Sequence, residues 1–218
     1  SKKVDLIAGK AYILCKENKY EEALKCYDEA LALEPGNEKC NTAKKQALCG
    51  MWNKKGMDLF NEKKYKDAIK CYDEALKIDP ENEESIKARN RANSEIFHTE
   101  GLTLYGKKKY KEAISCYDKA LKLYEEEKTL WYDKGNALYS SKQYNEALKQ
   151  YIQATHIDNK FAYAYCAMGN TYLMLGRFQE ALQNYDRARE CSPKDKYIQE
   201  CYKNGEKEWF LKSINGFT

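Results

Sequence analysis

The amino-acid sequence predicts an all-α protein built as a stack of repeated helix hairpins, and three observations lead to that fold. First, one pattern recurs five times: an aromatic at Tyr20, Tyr65, Tyr110, Tyr144 and Phe178, each followed by Ala at +3, Tyr at +7 and Ala at +10. Offsets of 3, 7 and 10 fall on one face of an α-helix. Second, Gly56, Gly101, Gly135 and Gly169 each lie nine residues before their aromatic, so a second helical pattern precedes the first. Third, only 3 prolines and 11 glycines punctuate 218 residues, too few for the frequent turns of an all-β chain.

The first helix of each hairpin is read from the residues around its glycine. Trp52, Phe97, Trp131 and Tyr165 stand four residues before it, and Leu59, Leu104, Leu138 and Tyr172 three after it. The four aromatics are expected in the core. A glycine inside a helix costs about 1 kcal/mol relative to alanine, so its return at one phase implies a close helix crossing. The first unit carries Ala11 and Ile7 at these places. The second helix holds the Ala/Tyr/Ala face: Ala23, Tyr27 and Ala30, then Ala68, Tyr72 and Ala75, and so on to Ala181, Tyr185 and Ala188. Pro35, Pro80 and Pro193 end it, since proline cannot continue a helix interior. With Glu125 and Asn159 at that place, the third and fourth second helices are expected to end less sharply.

The aromatics are 45, 45, 34 and 34 residues apart (20 to 65, 65 to 110, 110 to 144, 144 to 178). The two long intervals hold eleven extra residues each, near 38–48 and 83–93, without Pro or Gly. Eleven residues make about three helical turns, which predicts lengthened first helices near 38–62 and 83–107. Their starts are expected to project beyond the stack, exposing Lys44, Lys45, Arg89 and Arg91. Residues 195–214 are predicted to form a terminal helix that caps the last hairpin through Tyr197, Ile198, Cys201, Tyr202, Trp209 and Phe210.

These residues resemble the tetratricopeptide repeat (TPR) family, over roughly residues 4–193. The resemblance implies a right-handed superhelical α-solenoid of five TPR hairpins with a capping helix, forming a single domain. Its hairpins would lie near 4–37, 38–82, 83–127, 128–161 and 162–194. It also implies a concave groove lined by first helices that holds a peptide or partner protein. The groove candidates are His98, Tyr105, Tyr132, Asn136, Tyr139, Tyr163, Asn170 and Asn204, with Leu102, Thr129, Asp133, Cys166, Leu173 and Tyr197 beside them. Asn136, Asn170 and Asn204 share one phase, and an amide that both donates and accepts can clamp a peptide backbone. A plain consensus role for these asparagines stays open. One subclass of the family grips chaperone C-terminal carboxylates with Lys, Asn and Arg at set places. Here those places read His98, Leu102, Asp133, Tyr163 and Ala167 in units three to five, and no other register does better. A carboxylate clamp is therefore not expected.

Other chemistries find little in the chain. Its two histidines, His98 and His156, lie in no zinc-ligand spacing, and no phosphate-binding or nucleophile-elbow motif occurs. No metal, cofactor or catalytic residue is assigned, and an enzyme is not expected. Cys26, Cys71 and Cys116 precede the repeat tyrosines and read as small core residues. Nine scattered cysteines, an odd count without a C-x-x-C pair, suit a reducing, cytoplasmic compartment. No apolar run is long enough to span a membrane. A net charge of +4 from 38 basic and 34 acidic residues makes nucleic acid an unlikely partner. The alternatives to a peptide-binding scaffold are an RNA-associated repeat protein using the basic extensions, and a self-assembling scaffold.

Overall fold

The computed structural model describes residues 1–215. Eleven helices occur there and no strand: α1 (Lys2–Lys16), α2 (Tyr20–Leu33), α3 (Glu38–Asn61), α4 (Tyr65–Ile78), α5 (Glu83–Gly106), α6 (Tyr110–Leu123), α7 (Lys128–Ser140), α8 (Tyr144–Ile157), α9 (Ala162–Met174), α10 (Phe178–Cys191) and α11 (Lys196–Asn215). They form an α-solenoid of helix hairpins. Two compact units divide it, residues 1–96 and residues 97 onward, and the boundary falls inside α5.

Each hairpin closes on the repeat residues. Every repeat alanine of the second helices is fully buried, and Tyr27, Tyr72, Tyr117, Tyr151 and Tyr185 are nearly so. A Cβ on Gly56, Gly101, Gly135 or Gly169 would stand 2.5 Å from the ring of Tyr72, Tyr117, Tyr151 or Tyr185. The glycine thus leaves the space that the tyrosine ring fills. Trp52, Phe97, Trp131 and Tyr165 prove half-buried instead of core. Each carries a cation over its ring, from Lys55, Lys119, Lys134 and Arg187. A ring at the hairpin's edge keeps one face for such a partner.

All five second helices are 14 residues long and stop at one phase, with or without a following proline. The expected blurring at Glu125 and Asn159 does not occur. The tight turn inside each hairpin is held by a left-handed residue at one register: Asn18, Lys63, Lys108, Lys142 and Gly176. Asn and Gly tolerate that conformation, whereas lysine pays for its Cβ. Lys108→Gly is therefore expected to raise stability by up to about 1 kcal/mol in urea melts, and an unchanged midpoint would contradict the strain.

The extended helices correct the expectation of projecting ends. In the first unit, Cys40 near the start of α3 is buried with Val4 and Ala30. Ala47 is buried with Ala11, Ala23 and Tyr27. The first half of α3 thus covers the first hairpin, and its second half pairs with α4 through Gly56. The start of α5 repeats the arrangement, with Ala92 buried against Ala68 and Tyr72. Ser85 is fully buried there, its hydroxyl 2.8 Å from Asn53 Oδ1 and from Asn82 Oδ1. The physical reason lies in small side chains 16 and 20 residues after the repeat tyrosine: Ala43 and Ala47, Ala88 and Ala92, and again Cys201 and Gly205. They let a helix settle onto the preceding hairpin.

In the second unit, α11 covers the last hairpin with Ile198 and Cys201, both buried among Ala181, Tyr185 and Ala188. Tyr197, Trp209 and Phe210, also expected in that cover, are exposed.

Candidate functional site

The candidate residues all belong to the second unit, on α5, α7, α9 and α11. His98 Nε2 lies 2.7 Å from Asp133 Oδ2, which joins α5 to α7. Further along the same two helices, the Tyr105 hydroxyl lies 3.1 Å from Ser140 Oγ. Between α7 and α9, Tyr132 meets Phe161 edge to face, with ring centroids 5.2 Å apart. Between α9 and α11, Tyr163 stacks on Tyr197 at 6.0 Å, and its hydroxyl donates to Asp195 Oδ2 at 2.8 Å. Phe161 and Tyr163 touch at 6.3 Å. Tyr132, Phe161, Tyr163 and Tyr197 therefore form one continuous aromatic strip across three consecutive first helices. Tyr163 and Tyr197 are 42% and 49% exposed, so their rings face outward.

The asparagines are placed differently from a free clamp. Asn136 Oδ1 accepts from the Tyr151 hydroxyl at 2.9 Å, and Asn170 Oδ1 from the Tyr185 hydroxyl at 2.6 Å. Their oxygens each accept one bond that closes the hairpin core. Burial drives the Tyr151 and Tyr185 phenols far above their ordinary pKa, which keeps both as neutral donors. In the third repeat Leu102 takes the asparagine's place, and the fully buried Tyr117 hydroxyl has no hydrogen-bond partner among the described residues. Asn204 is exposed on α11, Tyr139 is half-buried against Tyr144, and Leu102 is exposed. Cys166, grouped with the groove from the sequence, is fully buried and lines no surface. Thr129 turns its hydroxyl to Glu127.

Phe161 escaped the sequence reading. It occupies the N-cap of α9, the register held elsewhere by Asn37, Asn82, Glu127 and Asp195. Those four side chains accept hydrogen bonds from the first turns of their helices. Phe161 makes no such bond. A ring where its register-mates carry a capping oxygen was the available signal.

Family comparison fits this architecture. A model described as TPR repeat matches residues 135–176, and two described as tetratricopeptide repeat match residues 51–82 and 162–195, and 5–37 and 94–127. The chain belongs to the tetratricopeptide repeat family. Among solved structures, it is similar to the Arabidopsis OM64 TPR domain, with 25% identity, a TM-score of 0.52, and 54% of this chain and 98% of that one covered. The yeast Sti1 TPR2AB-domain:pHSP90 complex is 16% identical at a TM-score of 0.51, with 94% and 99% covered. The Sgt2 TPR domain from Aspergillus fumigatus is 19% identical at 0.53, with 57% and 83% covered. The likeness to the last two shows the fold alone. No curated protein sequence matches the chain.

As a TPR protein it is a protein-interaction module. Its two lengthened helices depart from the family's period of about 34 residues. Their basic side chains are largely engaged within the first unit. Lys44 pairs with Asp28, and Arg89 with Asp73. Lys54 bonds to the Asn18 carbonyl, and Arg91 lies over the Phe60 ring. A cleft of about 530 Å³ lies at this step, lined by Tyr20, Glu22, Trp52, Lys54 and Lys55 among others. No helix among the described residues is long and apolar enough to cross a membrane.

Proposed function

We propose that this TPR protein is a scaffold that binds an extended peptide segment along the first helices of its second unit, without a carboxylate clamp. The observation that carries this reading is the aromatic strip of Tyr132, Phe161, Tyr163 and Tyr197. A ring has displaced a capping side chain at α9, a substitution that ordinarily costs about 1 kcal/mol. Such a local loss is expected where a surface serves a ligand. Large, rigid rings supply contact area at small entropy cost.

The absence of a clamp rests on the residues at its places. Asp133, anchored by His98, sets a carboxylate where the clamp needs a neutral or cationic group. A protein ligand is favoured over nucleic acid because the basic residues of the extended helices are mostly held in ion pairs and cation–π contacts.

The test is a random decapeptide library displayed against the wild type and against Tyr163→Ala/Tyr197→Ala. Both rings are exposed, so the variant should keep its circular dichroism and melting point. Binders weakened roughly tenfold or more by the variant are expected. A library that yields no such binder would sink the reading. Phe161→Asn offers a second check. The new cap should recover about 1 kcal/mol and offset the packing lost with the ring, while binding weakens. Full binding by a folded Phe161→Asn protein would remove the strip from the site.

A further inference from the structure

We infer that the ligand's anchor is an arginine side chain, seated on the stacked rings of Tyr163 and Tyr197 with its guanidinium turned to Asp195. This rests on the peptide-binding reading above and names the class of peptide.

Rings elsewhere in the protein carry a cation of the chain itself. Lys16 lies over Tyr12, Lys128 over Phe161, Arg187 over Tyr165 and Arg189 over Tyr202. Tyr163 and Tyr197 stack at 6.0 Å with their planes 29° apart, and both are exposed. No cation lies over either ring among the described residues. A guanidinium is planar and stacks on such a face.

Asp195 supplies the counter-charge at the edge of the same pair. Its Oδ2 accepts from the Tyr163 hydroxyl at 2.8 Å, and its Oδ1 from the backbone N–H groups of Tyr197 and Ile198. The hydroxyl, and after it the Ile198 N–H, hold this carboxyl below the ordinary aspartate range, so it is ionised at neutral pH. All three donors are neutral. Lys194 and Lys196 flank Asp195 in the chain, but no ion pair reaches it among the described residues. The other carboxylates beside the strip differ, since Asp158 is paired with Lys128 and Asp133 with His98. Oδ2 keeps a lone pair for a second donor, and arginine brings five N–H donors and no acceptor. Asp133 Oδ1 and the second lone pairs of the Asn136 and Asn170 oxygens serve the backbone N–H groups of the segment that carries the arginine. The chain as a whole has a net charge of +4, so its overall field opposes a basic peptide and a preference for one is local.

Three fluorescein-labelled Gly-Ser peptides of ten residues are the probes, alike except that each carries arginine, lysine or citrulline at the same three positions. Binding to the full chain is read by anisotropy. The arginine peptide is expected to bind more tightly than the other two by about fivefold or more. Tyr163→Ala/Tyr197→Ala and Asp195→Asn should each abolish that margin. Asparagine caps a helix as well as aspartate does, so Asp195→Asn should keep the start of α11 and the melting point. A lysine or citrulline peptide that matches the arginine peptide would overturn the inference, and so would a margin undiminished in either variant. Library binders that need the tyrosines but carry no arginine would overturn it and leave the peptide-binding reading standing. Failure of the arginine peptide and of the whole library would overturn both.

Discussion

Tyr151→Ala is expected to destabilise the protein by about 3–5 kcal/mol, the range for truncating a fully buried aromatic. Its ring is 1% exposed, fills the space left by Gly135 and donates its hydroxyl to Asn136. Truncation opens a cavity and strips Asn136 Oδ1 of its donor. Gly135→Ala attacks the same contact from the other side. The added Cβ would stand 2.5 Å from the ring, an overpacking worth about 1–3 kcal/mol against a helix-propensity gain of about 1 kcal/mol. In the double variant the new methyl enters the cavity that the ring has vacated. The combined loss should therefore fall short of the sum by 1 kcal/mol or more, roughly the coupling of touching residues. Strict additivity in chemical denaturation would show that glycine and tyrosine do not share this space.

Tyr117→Phe should do the opposite and stabilise the protein. The Tyr117 hydroxyl is buried without a hydrogen bond among the described residues, which costs about 1–3 kcal/mol. The same change at Tyr185, whose hydroxyl is bonded to Asn170, should destabilise by about 1 kcal/mol or somewhat more. Two chemically identical substitutions, at one register two repeats apart, are thus expected to differ in sign. Leu102→Asn supplies the missing acceptor at an exposed position and should erase the benefit of Tyr117→Phe. An unchanged or lowered melting point for Tyr117→Phe would refute the orphaned hydroxyl.

How much of this was legible follows from where each interaction is encoded. The hairpins were readable because Ala23, Tyr27 and Ala30 and their counterparts make their contacts at fixed offsets within one repeat. The coverage of the first hairpin by α3 was not. The acids at the start of each insert and its lysines and arginines read as a solvated face, while the small residues 16 and 20 after each tyrosine lie in a different repeat from the ring they meet. The asparagines were recognised as polar residues at one phase. That their oxygens serve Tyr151 and Tyr185 emerges only when two helices of a hairpin come together. Phe161 was missed although its departure lies in the sequence, 17 residues after Tyr144, where Asn37, Asn82, Glu127 and Asp195 follow their own repeat aromatics by the same interval. Trp209 and Phe210 were assigned to the cap on composition, although no repeat phase placed them there.

The two-part use of α3 sets how its length can vary. Its first half is registered on Tyr27 and its second on Tyr72, with no break in the helix between. Deleting a single residue between Ala47 and Trp52 would swing one half by about 100° relative to the other, turning Gly56 away from the ring it must clear. Removing all eleven added residues would rotate it by only about 20°, since eleven residues nearly complete three turns. Length change here is therefore quantised: losses and gains near whole turns can be absorbed, whereas the smallest possible indels are the most damaging.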